Sequence, residues 1–293
     1  LFVLPLAQRS LKVEPGSILL SSSSLFLKAL PKPDNGRHIV YCHTPPRFIW
    51  SEPEYVIQEV PIFLRPVVNF GLKLLKKWDY QSAQKVDIFL ANSREVQARI
   101  RKFYERDSEI VYPGIDCQFW HKTKPTGTYF LVAGRLQPHK NNELVVKVCS
   151  ELGIPLHVVG TGSQEAYLRS IAGPTVGFFG RLDDKGLRDH YSGAKALVYL
   201  QYEDFGLMPL EAAACGTPTI GLNKGGSIET IIPGQTGLLI DEVNENKLAA
   251  VLKSFSENSF DNNNLLDQAR RFSNERFHQH LLKIINKAYE NCS

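Results

Sequence analysis

Methionine is nearly absent: among 293 residues only Met208 occurs, and the sequence begins at Leu1. With no initiator and no signal-peptide pattern at that end, the expectation is a fragment that has lost its N-terminal part. Cysteine is also scarce. Cys42, Cys117, Cys149, Cys215 and Cys292 are scattered, with no CxxC pair and no metal-ligand spacing. An odd number of cysteines in apolar surroundings points to reduced thiols and a cytoplasmic protein. No apolar run approaches membrane-spanning length. Neither sign of charge dominates. The formal net charge of +4 and pI near 8.7 suit anionic ligands or an anionic membrane surface, and are too weak to argue for nucleic acid. No repeat of solenoid length is visible.

What is present is an ordinary globular composition, 43% hydrophobic and 22% charged, long enough for two cores. Short β-rich runs alternate with amphipathic segments. Strands are expected at 17–20, 38–42, 86–91 and 109–112, then at 129–133, 156–159, 175–179, 196–200, 218–222 and 237–240. These runs are continuously apolar, as in strands buried on both faces. Between them, 143–152 places Leu144, Val145, Val148 and Leu152 on one helical face. Alternating β and α with short loops predicts an α/β chain with doubly wound parallel sheets. Ten strands are too many for one sheet of this kind, so two Rossmann-like domains are expected. The polar, Pro/Gly-rich stretch from Tyr112-Pro113-Gly114 to Lys122–Gly127 is read as the linker. Two such domains facing each other would leave a cleft, where sheets of this kind bind ligands beyond the C-terminal ends of their strands.

In the second half every unusual element follows a strand. Gly134-Arg135 leads to Lys140, Gly160-Thr161-Gly162 follows 156–159, and Gly180-Arg181 follows 175–179. EDFGLMPLE (203–211) follows 196–200, and Gly225-Gly226-Ser227-Ile228-Glu229 follows 218–222. All five therefore line one rim of one sheet, where such folds bind ligands. Arg135 and Lys140 bring a guanidinium and an ammonium close to a helix start, a combination suited to a diphosphate. The alternative is a solvated loop with surface charges. Pro209 fits the first position of a helix, which puts Glu211 in the first turn, favourably placed against the positive helix end, and leaves Glu203 in the loop. Gly206 would admit a backbone approach that a side chain would block. Both carboxylates would face the cleft; the duller reading makes Glu211 a helix-start residue and Glu203 a solvated one.

In the first half, Tyr41-Cys42-His43-Thr44-Pro45-Pro46-Arg47 puts His43 at the end of a strand, either as a structural hydrogen-bonder or facing the cleft. The stretch 62–78, IFLRPVVNFGLKLLKKW, mixes apolar residues with Arg65, Lys73, Lys76 and Lys77. It reads preferentially as a helix packed on the sheet with a basic outer face, and otherwise as an interfacial helix docking on anionic lipid.

The ensemble resembles the retaining, GT-B-fold glycosyltransferases of family 4 (glycosyl transferases group 1). Glu203 and Glu211 resemble the family's E-x7-E motif. Gly134-Arg135 with Lys140 is similar to its diphosphate site, Gly160-Thr161-Gly162 to its G-x-G, and Gly225-Gly226 to Glu229 to its GG-x-x-E loop. His43–Arg47 and Ala91-Asn92-Ser93 are similar to stretches of bacterial mannosyltransferases that use GDP-mannose. The resemblance implies two facing Rossmann-like domains, the first incomplete: 1–115 on the acceptor side, 116–272 binding the nucleotide sugar, and 273–293 a helix crossing back. It implies a donor that is a nucleoside-diphosphate sugar, GDP-mannose ahead of UDP-glucose, with no cofactor and no metal. The implied acceptor is a glycan or a polyprenyl-diphosphate-linked glycan in cell-surface polysaccharide synthesis. The implied place is the cytoplasm, with peripheral contact at the inner face of the plasma membrane, and no nucleic acid partner.

By the same resemblance, Arg135 and Lys140 neutralise the leaving diphosphate, Glu211 holds the ribose and Glu203 touches the donor sugar. Phe205, Gly206 and Leu207 offer backbone amides, His43 contacts the sugar from the first domain, and Gly134, Gly160, Gly162, Arg181 and Gly226 line the donor site. With no obvious carboxylate nucleophile, transfer on the same face through an oxocarbenium-like state is implied. The family's opening strand and glycine-rich loop have no counterpart here, which leaves a split or truncated donor-binding module as an alternative. A sugar-nucleotide epimerase would need acid/base partners around C2. A two-carboxylate glycosidase would leave the phosphate-binding rim without a purpose.

Overall fold

The computed structural model describes residues 11–256 and 259–290; Leu1 and Cys292 lie outside them. The chain divides into two units, one holding residues up to Tyr112 together with the chain from Phe277 onward, the other Pro113–Arg276.

The first unit is built on four parallel strands in the order β1-β2-β3-β4: β1 Ile18–Ser23, β2 Arg37–Cys42, β3 Ile88–Ala91 and β4 Glu109–Ile110. One face of the sheet packs Val40, Phe89 and Ala91 against Val96, Ile100 and Tyr104 of the helix Arg94–Tyr104. That helix starts where Ser93 caps it, its hydroxyl accepting from the Val96 N–H at 3.1 Å. Ala91-Asn92-Ser93 is thus first of all a strand end and a helix cap. The other face, Ile39, Tyr41, Leu90 and Val111, is covered by Phe277, Ile284 and Ala288 of the C-terminal helix Asn274–Glu290. The helix Arg65–Ala83 is tied down through Asp79, which is fully buried. The Asp79 carboxylate pairs with Lys28 at 2.6 Å and accepts from Trp50 Nε1 and the Tyr104 hydroxyl, each at 2.8 Å. A buried charge survives only with partners of this kind.

The second unit has six parallel strands: β5 Tyr129–Ala133, β6 Leu156–Val159, β7 Val176–Gly180, β8 Ala194–Tyr199, β9 Thr219–Leu222 and β10 Gly237–Ile240. Their order is β10-β9-β8-β5-β6-β7. The chain therefore winds outward from β5 to β7, returns to the middle at β8, and winds outward the other way. This is the doubly wound nucleotide-binding order, and its direction reverses between β5 and β8. Phe130, Val132, Val158, Ala196, Val198 and Ile220 form the centre of the core. Residues 122–127 belong to this unit: Thr123 donates its N–H to Ser192 Oγ at 3.0 Å and its hydroxyl to Asp189 at 2.7 Å.

His157 on β6 is stacked on Tyr129, ring centroids 3.6 Å apart, with Phe179 and His190 beside it. Its Nδ1 is buried without a hydrogen-bond partner among the described residues. Burial first, and the neighbouring His190 second, push its pKa down to about 4. Between about pH 6.5 and 4 the unfolded chain then binds the proton more readily, so stability falls as pH falls through that window. We expect His157→Phe to raise the melting temperature at pH 5 by more than at pH 8. An equal change at both would contradict this account.

Candidate functional site

The reversal of winding leaves a crevice between the loops that follow β5 and β8. The loop after β5 starts at Gly134, with φ +110°, and runs through Arg135 to Lys140. It is stitched to the loop after β6: the Gly134 N–H donates to Val159 O and the Leu136 N–H to Thr161 O, both at 3.0 Å. Gly160 N–H in turn donates to Gly180 O at 2.7 Å. A Cβ on Gly160 would fall on the Gly134 carbonyl, and one on Gly162 on the Leu136 carbonyl. The G-x-G glycines are thus required by loop-to-loop approach, before any ligand is considered.

This stitching brings Gly134, Arg135, Gly160, Thr161 and Arg181 around one cavity of about 360 Å³, with Leu182 and Leu187 on its apolar side. Among the described residues neither Arg135 nor Arg181 has a carboxylate partner. Two guanidiniums lining a cavity edged by glycines form an arrangement suited to an anion.

The loop after β8 carries the other half of the crevice. Lys140 Nζ forms an ion pair with Glu203, with the two side chains 14% and 27% exposed. Asn141, held at φ +57°, donates its side-chain amide to Leu200 O at 2.7 Å, closing the same gap. Sequence reasoning sent Lys140 and Glu203 separately to phosphate and sugar. The structure pairs them, so in this state each satisfies the other's charge. The Gly226 N–H donates to Glu203 O at 2.9 Å, and a Cβ there would strike the Phe205 carbonyl. Gly206, at φ +85°, lies where a Cβ would come within 2.7 Å of the Tyr199 hydroxyl. Phe205 is buried, its ring 5.6 Å from that of Phe272. Gly206 is therefore required by its approach to Tyr199 of β8, a reason that stands beside the expected approach to ligand.

Leu207 leads into the short helix Met208–Ala214, with Pro209 in its first turn and Glu211 behind it. Position alone would favour an ionised Glu211, because a first-turn carboxylate faces the positive helix end. Burial overrides this. It pushes the Glu211 pKa up to about 7, against the opposing hydrogen bond from the Tyr191 hydroxyl at 3.1 Å, with Asp184 adding to the rise. The helix-end advantage expected from the sequence is outweighed by desolvation.

His43 lies in the first unit, one residue past β2, exposed, with Nε2 2.8 Å from Ser22 Oγ and its ring edge-on to Tyr41. Three contributors escaped sequence reasoning. Tyr191 holds Glu211, Asn141 ties the two loops, and Leu182 lines the cavity. Tyr191 stands in the interior of the helix Asp184–Gly193 with no motif around it. Only Asn141, a polar residue at the end of the Arg135–Lys140 loop, gave a usable signal.

The fold is an α/β one with a doubly wound parallel sheet, and the loops after β5, β6 and β7 gather two arginines around one cavity. The family model for glycosyl transferases group 1 matches residues 118–275, more than half of the chain, and the chain belongs to this family. It is similar to a D-inositol 3-phosphate glycosyltransferase of Nocardioides sp., 26% identical over 252 residues covering 71% of this chain and 55% of that one. It is also similar to a GDP-mannose-dependent alpha-mannosyltransferase of Corynebacterium glutamicum, 33% identical over 141 residues, 47% of this chain and 34% of that one. The chain spans about half the length of the first of these relatives. Among solved structures, sucrose-phosphate synthase from Thermosynechococcus elongatus superposes with TM-score 0.67 at 21% identity, covering 87% of this chain and 68% of that one. Anabaena HepE in complex with UDP-glucose gives TM-score 0.67 at 16% identity, covering 86% and 72%. The fold is that of the GT-B glycosyltransferases.

Proposed function

We propose that this chain binds a nucleoside-diphosphate sugar on its second unit and belongs to a retaining hexosyltransferase of family 4, with GDP-mannose as favoured donor and UDP-glucose as the second choice. The observation that carries the reading is the convergence of Arg135 and Arg181 in one cavity lined by the loops that follow β5, β6 and β7, while Lys140 of the same β5 loop pairs with Glu203 of the β8 loop across the reversal. Arg135, Arg181 and Lys140 neutralise the charge that grows on the departing diphosphate, which is where electrostatic stabilisation counts most. Glu211 accepts from the ribose hydroxyls. Glu203, released from Lys140 when phosphate takes up the ammonium, accepts from the sugar. His43 is assigned to the sugar by the HTPPR resemblance, and the backbone of 205–207 to sugar and phosphate. The named activity of the Corynebacterium glutamicum relative supports mannose, and the UDP-glucose complex of Anabaena HepE supports a sugar nucleotide. The proposed acceptor is a glycan or polyprenyl-diphosphate-linked glycan in cell-surface polysaccharide synthesis.

The test is transfer from GDP-mannose to a polyprenyl-diphosphate-linked glycan, with the product anomer read by NMR. An α-linked mannoside from the α-linked donor is expected, and a β-linked product would overturn retention. Because the side-chain cations supply the neutralisation, added EDTA should leave the rate within about twofold. A rate abolished by EDTA and restored by Mg²⁺ would remove that assignment.

A further inference from the structure

Tyr191 of the helix Asp184–Gly193 is fully buried. A buried phenol must place its O–H on an acceptor, because leaving it unpaired costs the desolvation of the group. Here the acceptor is Oε2 of Glu211, at 3.1 Å. Among the described residues this is the one hydrogen bond of the Tyr191 side chain and the one hydrogen bond of the Glu211 carboxyl, so Oε1 keeps its accepting capacity. The tyrosine is itself held in place. Its main-chain carbonyl accepts the Thr217 hydroxyl at 2.6 Å, and the Trp120 ring stands edge-on to its own, centroids 5.7 Å apart. About one turn earlier, Arg188 donates to the Phe119 carbonyl at 3.1 Å and lies over the Phe119 ring. The same helix reaches the arginine-lined cavity, where Leu187 forms part of the wall. Leu187 and Tyr191 are four residues apart and share one helical face.

The groups facing Glu211 act on its charge in opposite senses. Burial comes first and disfavours the ionised form. Tyr191 opposes burial, because a donated hydrogen bond favours the carboxylate, while Asp184 in the first turn of the same helix adds like charge. Tyr199 of β8 and Cys215, just past the helix Met208–Ala214, also face Glu211. Burial raises the pKa of both, so they meet it as neutral groups. Burial likewise raises the pKa of Tyr191, which therefore remains a donor at neutral pH.

We propose that Tyr191 is a positioning residue for the nucleoside end of the donor: its hydroxyl fixes Oε2 of Glu211 and leaves Oε1 to accept the ribose hydroxyls. The inference rests on the ribose role proposed above for Glu211 and adds the residue that makes that role effective. A carboxyl held by one oxygen has less side-chain freedom left to lose when ligand binds. A buried carboxyl without a donor would keep its proton to higher pH and would be the weaker acceptor. A phenol that only filled space would leave the titration of Glu211 where it is.

The test is calorimetric titration of GDP-mannose and UDP-glucose into the chain across pH, with the Glu211 carboxyl of the ligand-free chain followed by carbon NMR and assigned by its loss in Glu211→Gln. In the unaltered chain both titrations should centre at about pH 7. Tyr191→Phe should move both midpoints up by about one pH unit. Affinity should then fall about tenfold at about pH 7, with the loss narrowing to about threefold at about pH 9 as the carboxyl ionises. Difluorotyrosine at position 191, a stronger donor that keeps every heavy atom of the phenol, should move the midpoints the other way. Glu211→Gln binding as tightly as the unaltered chain at about pH 8 would remove the ribose role and the proposal with it. Weaker binding of Glu211→Gln, together with midpoints that neither Tyr191 variant moves, would overturn the proposal alone.

Discussion

Arg135→Ala weakens binding of a nucleoside-diphosphate sugar by about 10- to 100-fold, the loss expected when one charge-assisted contact to phosphate is removed. Arg135 is exposed at the rim and has no carboxylate partner among the described residues, so no buried charge is orphaned and stability should stay within about 0.5 kcal/mol. The double variant with Arg181→Ala should bind more weakly than either single one, since both guanidiniums line the same cavity. The contrast with Lys140→Ala is informative. That change leaves Glu203 without its cation, so it should lower stability as well as affinity. Calorimetric titration and thermal melts separate the two cases. Unchanged affinity for Arg135→Ala would remove the diphosphate role.

Glu211→Gln is expected to stabilise the free protein while damaging the site. The native fold holds the Glu211 proton up to about pH 7, against an ordinary value of 4.5. The folded state therefore binds that proton more tightly than the unfolded one, and stability falls as pH rises from 4.5 to 7. Above pH 7 the ionised carboxylate costs about 1–3 kcal/mol after discounting for its partial exposure. Glutamine keeps an acceptor for the Tyr191 hydroxyl without the charge. The variant should therefore melt roughly 3–8 °C higher at pH 8 and at nearly the same temperature at pH 4. Its affinity for a sugar nucleotide should fall, because an amide accepts less strongly from two ribose hydroxyls. In the unaltered protein that affinity should rise as pH increases through 7, and this dependence should vanish in the variant. The sugar nucleotide is a suitable probe, since its diphosphate is esterified at both ends and does not titrate there. A lower melting temperature at pH 8 would contradict the stated burial of the charge.

All ten strands were legible: the inner ones, such as β2, β5, β8 and β9, are buried and read as unbroken apolar runs, while the edge strands β1, β4 and β7 are only partly buried. Their ends shifted by a few residues, as at 109–112, where the strand closes at Ile110. Strand order was not legible. Nothing linear says that β8 returns to the flank of β5, yet that return puts the Arg135–Lys140 loop beside the Glu203 loop. The glycines fall after strands as expected, and the structure adds a reason for three of them that the sequence does not show. Gly160, Gly162 and Gly226 meet neighbouring carbonyls, a cause that depends on contacts between loops far apart in sequence. Glu211 was placed in its helical turn, while its burial and its tyrosine partner depend on the helix Asp184–Gly193 packing nearby. The basic helix was expected to expose its charges. Which of its apolar residues would lie uncovered could not be read, because periodicity gives faces and not what covers them.

A thermal-shift screen of GDP-, UDP- and ADP-sugars against this chain, run in EDTA, asks whether the second unit binds a sugar nucleotide through its arginines. Stabilisation by at least one sugar nucleotide is expected, GDP-mannose foremost, with its loss in Arg135→Ala with Arg181→Ala. A chain that none of the three stabilises at millimolar concentration, or whose stabilisation survives the double variant, would contradict it.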